Sequence, residues 1–134
     1  MSKDFPHPFQ SETDSAAHQV PVKISDYFLW CALTAAFEGG SNYWIDHVEV
    51  SKRAPGAKYA SDHPFLGGEL RIVLQNPEDV EVVHPVTLQT LLTGAAVMAE
   101  KYPHMFKDLV GDSGDALTGD ALLQCAIFGE AVYG

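Results

Sequence analysis

The chain reads as an α+β domain, a small three-stranded antiparallel meander packed with three helices in the order α-β-β-β-α-α. Three observations lead there. An apolar run at 28–37 has helical length and stops at Gly39-Gly40. Three short β-rich segments follow, separated by glycine, proline and asparagine. Two apolar-striped segments then close the chain, each preceded by a threonine suited to capping.

Residues 1–21 hold three prolines among Ser, Asp, His and Gln without any period, so they are expected to form a flexible arm ahead of a single domain at 22–134. Ser25 or Asp26 is placed to cap a helix running to Glu38. This helix has almost no polar face, which predicts burial by several neighbours or by another subunit, and hence a homo-oligomer. Residues 43–50 alternate as a strand, and 51–64 form a long aperiodic loop, long enough to be functional. Gly67-Gly68 precedes a second strand at 69–74; the turn residues 76–79 and a third strand at 80–84 complete a hairpin that Pro85 ends. Thr87 caps a helix from 88 to 102, stopped by Pro103; 104–117 reads as irregular, and Thr118 caps the last helix, slightly weakened by Gly119.

A length of 134 residues suits one domain, and 46% hydrophobic with 19% charged residues is globular composition. The formal charge of −10 argues against direct nucleic-acid binding through phosphate neutralisation. It permits an acidic surface that occupies a basic groove on a partner, and it also serves plain solubility. Cys31 and Cys125 lie in apolar runs without C-x-x-C spacing and read as reduced core residues of a cytoplasmic protein. No apolar run approaches ~20 residues and no leader pattern is present, so neither membrane insertion nor secretion is expected.

No catalytic signature names a reaction. The histidines at 47, 63, 84 and 104 show no close ligand pair, G-x-S-x-G is absent, and the two glycine pairs precede strands rather than helices, unlike phosphate-binding loops. No metal, cofactor or catalytic residue is therefore assigned, and a small hydrolase using His and Asp stands as a third reading. The candidate ligand residues are Glu38, Asn42, Tyr43, Trp44, Asp120 and Gln124, polar or amphipathic side chains set beside apolar helical runs. Arg53 and Arg71 are candidate phosphate partners. Trp44 reads either as the first core residue of a strand or as a stacking platform for a planar ligand.

The pattern Ala-Phe-Glu-Gly-Gly-Ser-Asn-Tyr-Trp at 36–44, the Gly67-Gly68 pair, and the segment 118–134 with its Leu-Leu-Gln and Phe-Gly-Glu-Ala-Val-Tyr-Gly runs resemble small proteins of tailed bacteriophages and prophages. The resemblance covers about 22–134 and implies an accessory protein acting in the cytoplasm of the infected cell. It assigns no site residue. The expected function is anti-defence: capture of a small nucleotide-type ligand without turnover, a base stacking on Trp44 or Tyr43 and Asn42 reading its edge. The alternative is an acidic inhibitor that mimics nucleic acid on a host nuclease or DNA-binding protein.

Overall fold

The computed structural model describes residues 19–75, 83–111 and 114–134. Most of the expected arm, the turn at 76–79 and the strand residues 80–82 lie outside them. The architecture is α+β, with one antiparallel sheet in the order β1-β2-β3.

Helix α1 (Asp26–Ala35) begins where Ser25 Oγ accepts from the N–H groups of Tyr27 and Phe28 at 3.0 and 3.4 Å. It does not run on to Glu38 as a regular helix. It widens into a π turn, Ala36–Gly40, closed by Ser41 N–H on the Ala36 carbonyl at 2.9 Å. The Ser41 carbonyl then accepts from Trp44 and Ile45, which holds 41–44 as a turn. Strand β1 (Ile45–Lys52) therefore starts two residues later than the sequence suggests.

Strand β2 (Glu69–Leu74) sits between β1 and β3 (Val83–Val86), turning Leu70, Ile72 and Leu74 into the core and leaving Arg71 exposed. Pro85 does not end the sheet; it lies inside β3, opposite Arg71. An edge strand tolerates the missing N–H. The loop after β1 is also more ordered than its composition suggests. Residues Ala60–Leu66 form a 3-10 helix, because the Asp62 carboxylate gathers the N–H groups of Lys58 and Tyr59 at 2.9 and 3.0 Å.

Helix α2 (Leu88–Lys101) is capped by Thr87 as expected. The segment expected to be irregular holds α3 (Pro103–Val110), which buries Leu109 and half-buries Met105 and Phe106. Pro103 stops α2 and also starts α3, since proline at a first helical position gives up no hydrogen bond. Helix α4 (Ala116–Phe128) begins earlier than expected. Its cap is Asp115, whose carboxylate accepts from Leu117 and Thr118 at 3.0 and 3.1 Å, and Thr118 lies buried in the first turn.

The centre of the molecule is α4, not α1. It packs against α1, α2, α3 and the sheet, and every residue from Thr118 to Cys125 is buried. Two glycines allow this. A Cβ on Gly119 would stand 2.2 Å from the Ala32 carbonyl oxygen of α1, and one on Gly94 of α2 would stand 2.7 Å from the Ala126 nitrogen. What Gly119 gives up in helix propensity it returns as close packing. No helix among the described residues is long and apolar enough to cross a membrane.

Candidate functional site

Two clusters of polar and aromatic side chains stand out, and each is built on an aspartate that accepts an indole N–H. The first is buried. Asp120, in the first half of α4, receives Ser41 Oγ and Trp44 Nε1 at 2.7 Å each on one oxygen, and Tyr43 Oη at 2.5 Å and Gln124 Nε2 at 3.1 Å on the other. The turn at 41–44 delivers three side-chain donors to one carboxylate, which ties the start of the sheet to the central helix. Burial, followed by the neighbouring Asp120 carboxylate, pushes the Tyr43 hydroxyl up to about 12. Tyr43 is thus a donor across the whole neutral range.

A strap formed by residues 130–134 lies over this knot. Gln124 Oε1 accepts from the N–H groups of Val132 and Tyr133, both at 2.7 Å, and its Nε2 donates to the Tyr133 carbonyl at 3.2 Å. The Tyr133 ring stacks on Trp44 with centroids 5.5 Å apart and planes 12° apart. Phe128 closes the remaining side of the indole at 5.6 Å. Trp44 is consequently only 3% exposed, so the Trp44 face expected to receive a base is taken by the chain's own tyrosine.

The second cluster is open. Trp30 of α1 donates its indole N–H to Asp62 Oδ1 at 2.8 Å, and Thr34 Oγ1 donates to Ser61 Oγ at 3.0 Å, pinning the 3-10 helix against α1. The seam leaves a groove of about 380 Å³ lined by Trp30, Thr34, Phe37 and Glu38 on one side and Tyr59, Ala60 and Ser61 on the other. On the other side of Trp30 lies a shallower hollow of about 250 Å³ that Tyr27, Phe65 and Leu66 border. Tyr59 is 66% exposed and stands at the rim. Three hydrogen bonds to its carboxylate, from Tyr59 and Lys58 N–H and the Trp30 indole, hold Asp62 below the usual carboxylate range.

Of the residues singled out in the sequence, Tyr43, Trp44, Asp120 and Gln124 are brought together in the knot, where Trp44, Asp120 and Gln124 are buried and Tyr43 is 49% exposed. Asn42 lies exposed in the same turn, its carbonyl accepting from Gln75 Nε2 at 2.6 Å. Glu38 lines the open groove instead. Arg53 and Arg71 are exposed on the sheet side and line neither cluster. Sequence reasoning passed over Trp30, Thr34, Phe37 and Tyr59. The signal for three of them was present, because 27, 30, 34 and 37 share one helical face. The 3-10 helix that supplies the other wall lies in the loop already marked as functional by its length.

The histidines serve separate ends. His63 Nδ1 accepts from Ala54 N–H at 3.1 Å and is buried, whereas His47 lies on the exposed sheet face between the carboxylates of Asp46 and Glu49, at 2.6 and 2.9 Å. Those two hydrogen bonds, Asp46 foremost, raise His47 above its ordinary value. His84 packs edge-on against Phe128 with Nε2 lacking a partner, and burial lowers its pKa. Among the described residues no group of His, Cys, Asp and Glu is arranged to hold a metal ion. Both cysteines are free, Cys31 half-buried and Cys125 buried with its thiol pushed up to about 11 by that burial. Compared with known proteins, the chain matches no family model, no curated protein and no solved structure.

Proposed function

We propose that this protein is a non-catalytic binder that captures a small planar ligand of nucleotide type, the ring entering the groove between α1 and the 3-10 helix. The observation that carries this reading is the groove itself. It has a volume in the range of small-molecule sites, aromatic walls from Trp30, Phe37 and Tyr59, and few polar groups, from Glu38, Thr34 and Ser61. The rings offer stacking, and a carboxylate at the rim favours a ring edge that carries N–H donors, as amino-substituted bases do. The groove lining holds no cation, so the base rather than a phosphate is the part recognised. Lys58, exposed and adjacent to Tyr59 in the chain, is the nearest charge along the sequence for a phosphate outside the groove.

The likeness of 36–44 and 118–134 to tailed-phage and prophage proteins supplies the biological setting of the proposal: an accessory protein that sequesters a host signal in the infected cell. The test is calorimetric titration with nucleosides and with linear and cyclic nucleotides. Tyr59→Ala removes an exposed stacking face at small cost to the fold, and we expect it to weaken binding by about ten-fold or more, in line with ~1–3 kcal/mol per stacked base. No heat with any nucleotide would sink the reading. Salt-sensitive binding to a host nuclease or DNA-binding protein would then favour the acidic-inhibitor reading, which rests on the charge of −10.

A further inference from the structure

We infer that the strap at 130–134 is a displaceable lid over a second recognition site, and that the site beneath it takes a nucleobase-like heteroaromatic ring. This does not rest on the groove reading. It follows from which hydrogen bonds the strap supplies and which it does not. All four partners of Asp120 come from elsewhere: Ser41, Tyr43, Trp44 and Gln124. The frame under the strap therefore stands complete without it. Gln124 is the exception, since both bonds to its Oε1 come from strap N–H groups.

Removing the strap thus leaves one unsatisfied polar group, a carboxamide held in place through Nε2 by Asp120 and the Tyr43 hydroxyl, beside an uncovered indole face. A side-chain carbonyl oxygen next to a stacking platform is the equipment for accepting from a base edge that carries an N–H donor, as the amino group of adenine does. The strap imitates that ligand with its own parts. Tyr133 supplies the ring, the amides of Val132 and Tyr133 supply the donors, and the Tyr133 carbonyl supplies the acceptor.

The strap is also weakly held. It leaves α4 through Gly129 at φ 77°, a conformation glycine adopts freely, and Val132 is 53% exposed. Apart from Gln124 and the Tyr133 ring on Trp44 and Phe128, the anchors are the Tyr102 hydroxyl accepting from Ala131 N–H at 2.9 Å and, just ahead of the strap, the Lys101 ammonium on the Gly129 carbonyl at 3.1 Å, both exposed. A segment held by one buried side chain and one ring, with its other hydrogen bonds open to solvent, belongs at the lower end of local stability.

The test uses the full chain and adenosine as probe. Tyr133→Ala removes the ring that competes for Trp44, and we expect it to bind adenosine at least ten-fold more tightly than wild type. Adding Gln124→Met, which keeps volume but loses the amide, should abolish that gain. Equal affinity of Tyr133→Ala and wild type, or a gain that survives Gln124→Met, overturns the inference. Amide hydrogen exchange on wild type gives a check that needs no variant. The Val132 and Tyr133 amides should exchange at least a hundred-fold faster than those of Leu123 and Cys125, and equal protection would mean that the strap opens only with the whole fold.

Discussion

Asp120 and Asp62 do the same local chemistry with opposite results. Each accepts a tryptophan indole N–H, at 2.7 and 2.8 Å, and each organises the turn that delivers its donors. Around Asp120 every donor is a side chain, and helix, turn and strap close over it. Around Asp62 two of the three donors are the main-chain N–H groups of Lys58 and Tyr59; among the described residues Trp30 is stacked only by Tyr27 of its own helix, at 6.1 Å, and Tyr59 stays exposed. A polar contact at a tryptophan therefore does not by itself mark a ligand site. What separates a structural knot from a binding groove here is whether a further segment of the chain takes the open ring face.

The strongest way to break the comparison is Asp120→Ala. It leaves the buried donors of Ser41 and Trp44 unpaired, each worth roughly 1–3 kcal/mol, so a loss of about 3–5 kcal/mol in denaturant unfolding is expected. A variant as stable as wild type would show that the knot contributes nothing. Asp62→Ala should cost less, about 1–2 kcal/mol on the scale of a few partly exposed hydrogen bonds, yet weaken groove binding more than Asp120→Ala does at temperatures where both are folded. A reversal of that order would put the ligand site on the wrong aspartate.

The two indoles offer a milder probe that leaves the fold intact. Trp30→Phe leaves Trp44 as the only fluorophore of its kind, and its emission should resist acrylamide; Trp44→Phe leaves Trp30, which should be quenched readily. Equal quenching would erase the contrast. The smallest expected effect is on the acid side. Burial holds His84 below its ordinary value of 6.5, and its ring rests on Phe128, which packs on Trp44 and Tyr133. The unfolded chain takes up this proton before the folded one does, so the stability contribution is intact above about pH 6.5 and declines as pH falls toward the lower folded value. Acidification from about pH 7.5 to 5.5 should accordingly raise the quenching of Trp44 in Trp30→Phe protein and leave that of Trp30 in Trp44→Phe protein unchanged, and His84→Phe should remove the response.

Local chemistry was the most readable part of this chain. Thr87 caps where the sequence puts it, and Ser25 is one of the two caps it offers for α1, because a hydroxyl two or three residues ahead of free N–H groups needs no tertiary information. Asp115 and Thr118 are both good caps, and the choice between them depends on Gly119 packing against α1, which no local pattern records. Helix α3 was hidden by Pro103, read as a stop when it was also a start. The polar residues of the knot could be named one by one. Their convergence could not, since Trp44 and Asp120 are 76 positions apart and meet only through the fold. The strap was unreadable for the same reason, because nothing in 130–134 announces that its tyrosine lies on Trp44.

Among the described residues β1 and β3 are the outer strands of the sheet, and neither is a good template for another strand. The described part of β3 is four residues with a proline inside it, and the pairing of β1 is broken by register shifts after Ile45 and after Val50. Short, kinked or donor-poor edges discourage growth by strand addition. Among the described residues, then, neither outer strand offers a continuous ladder for a further strand to extend.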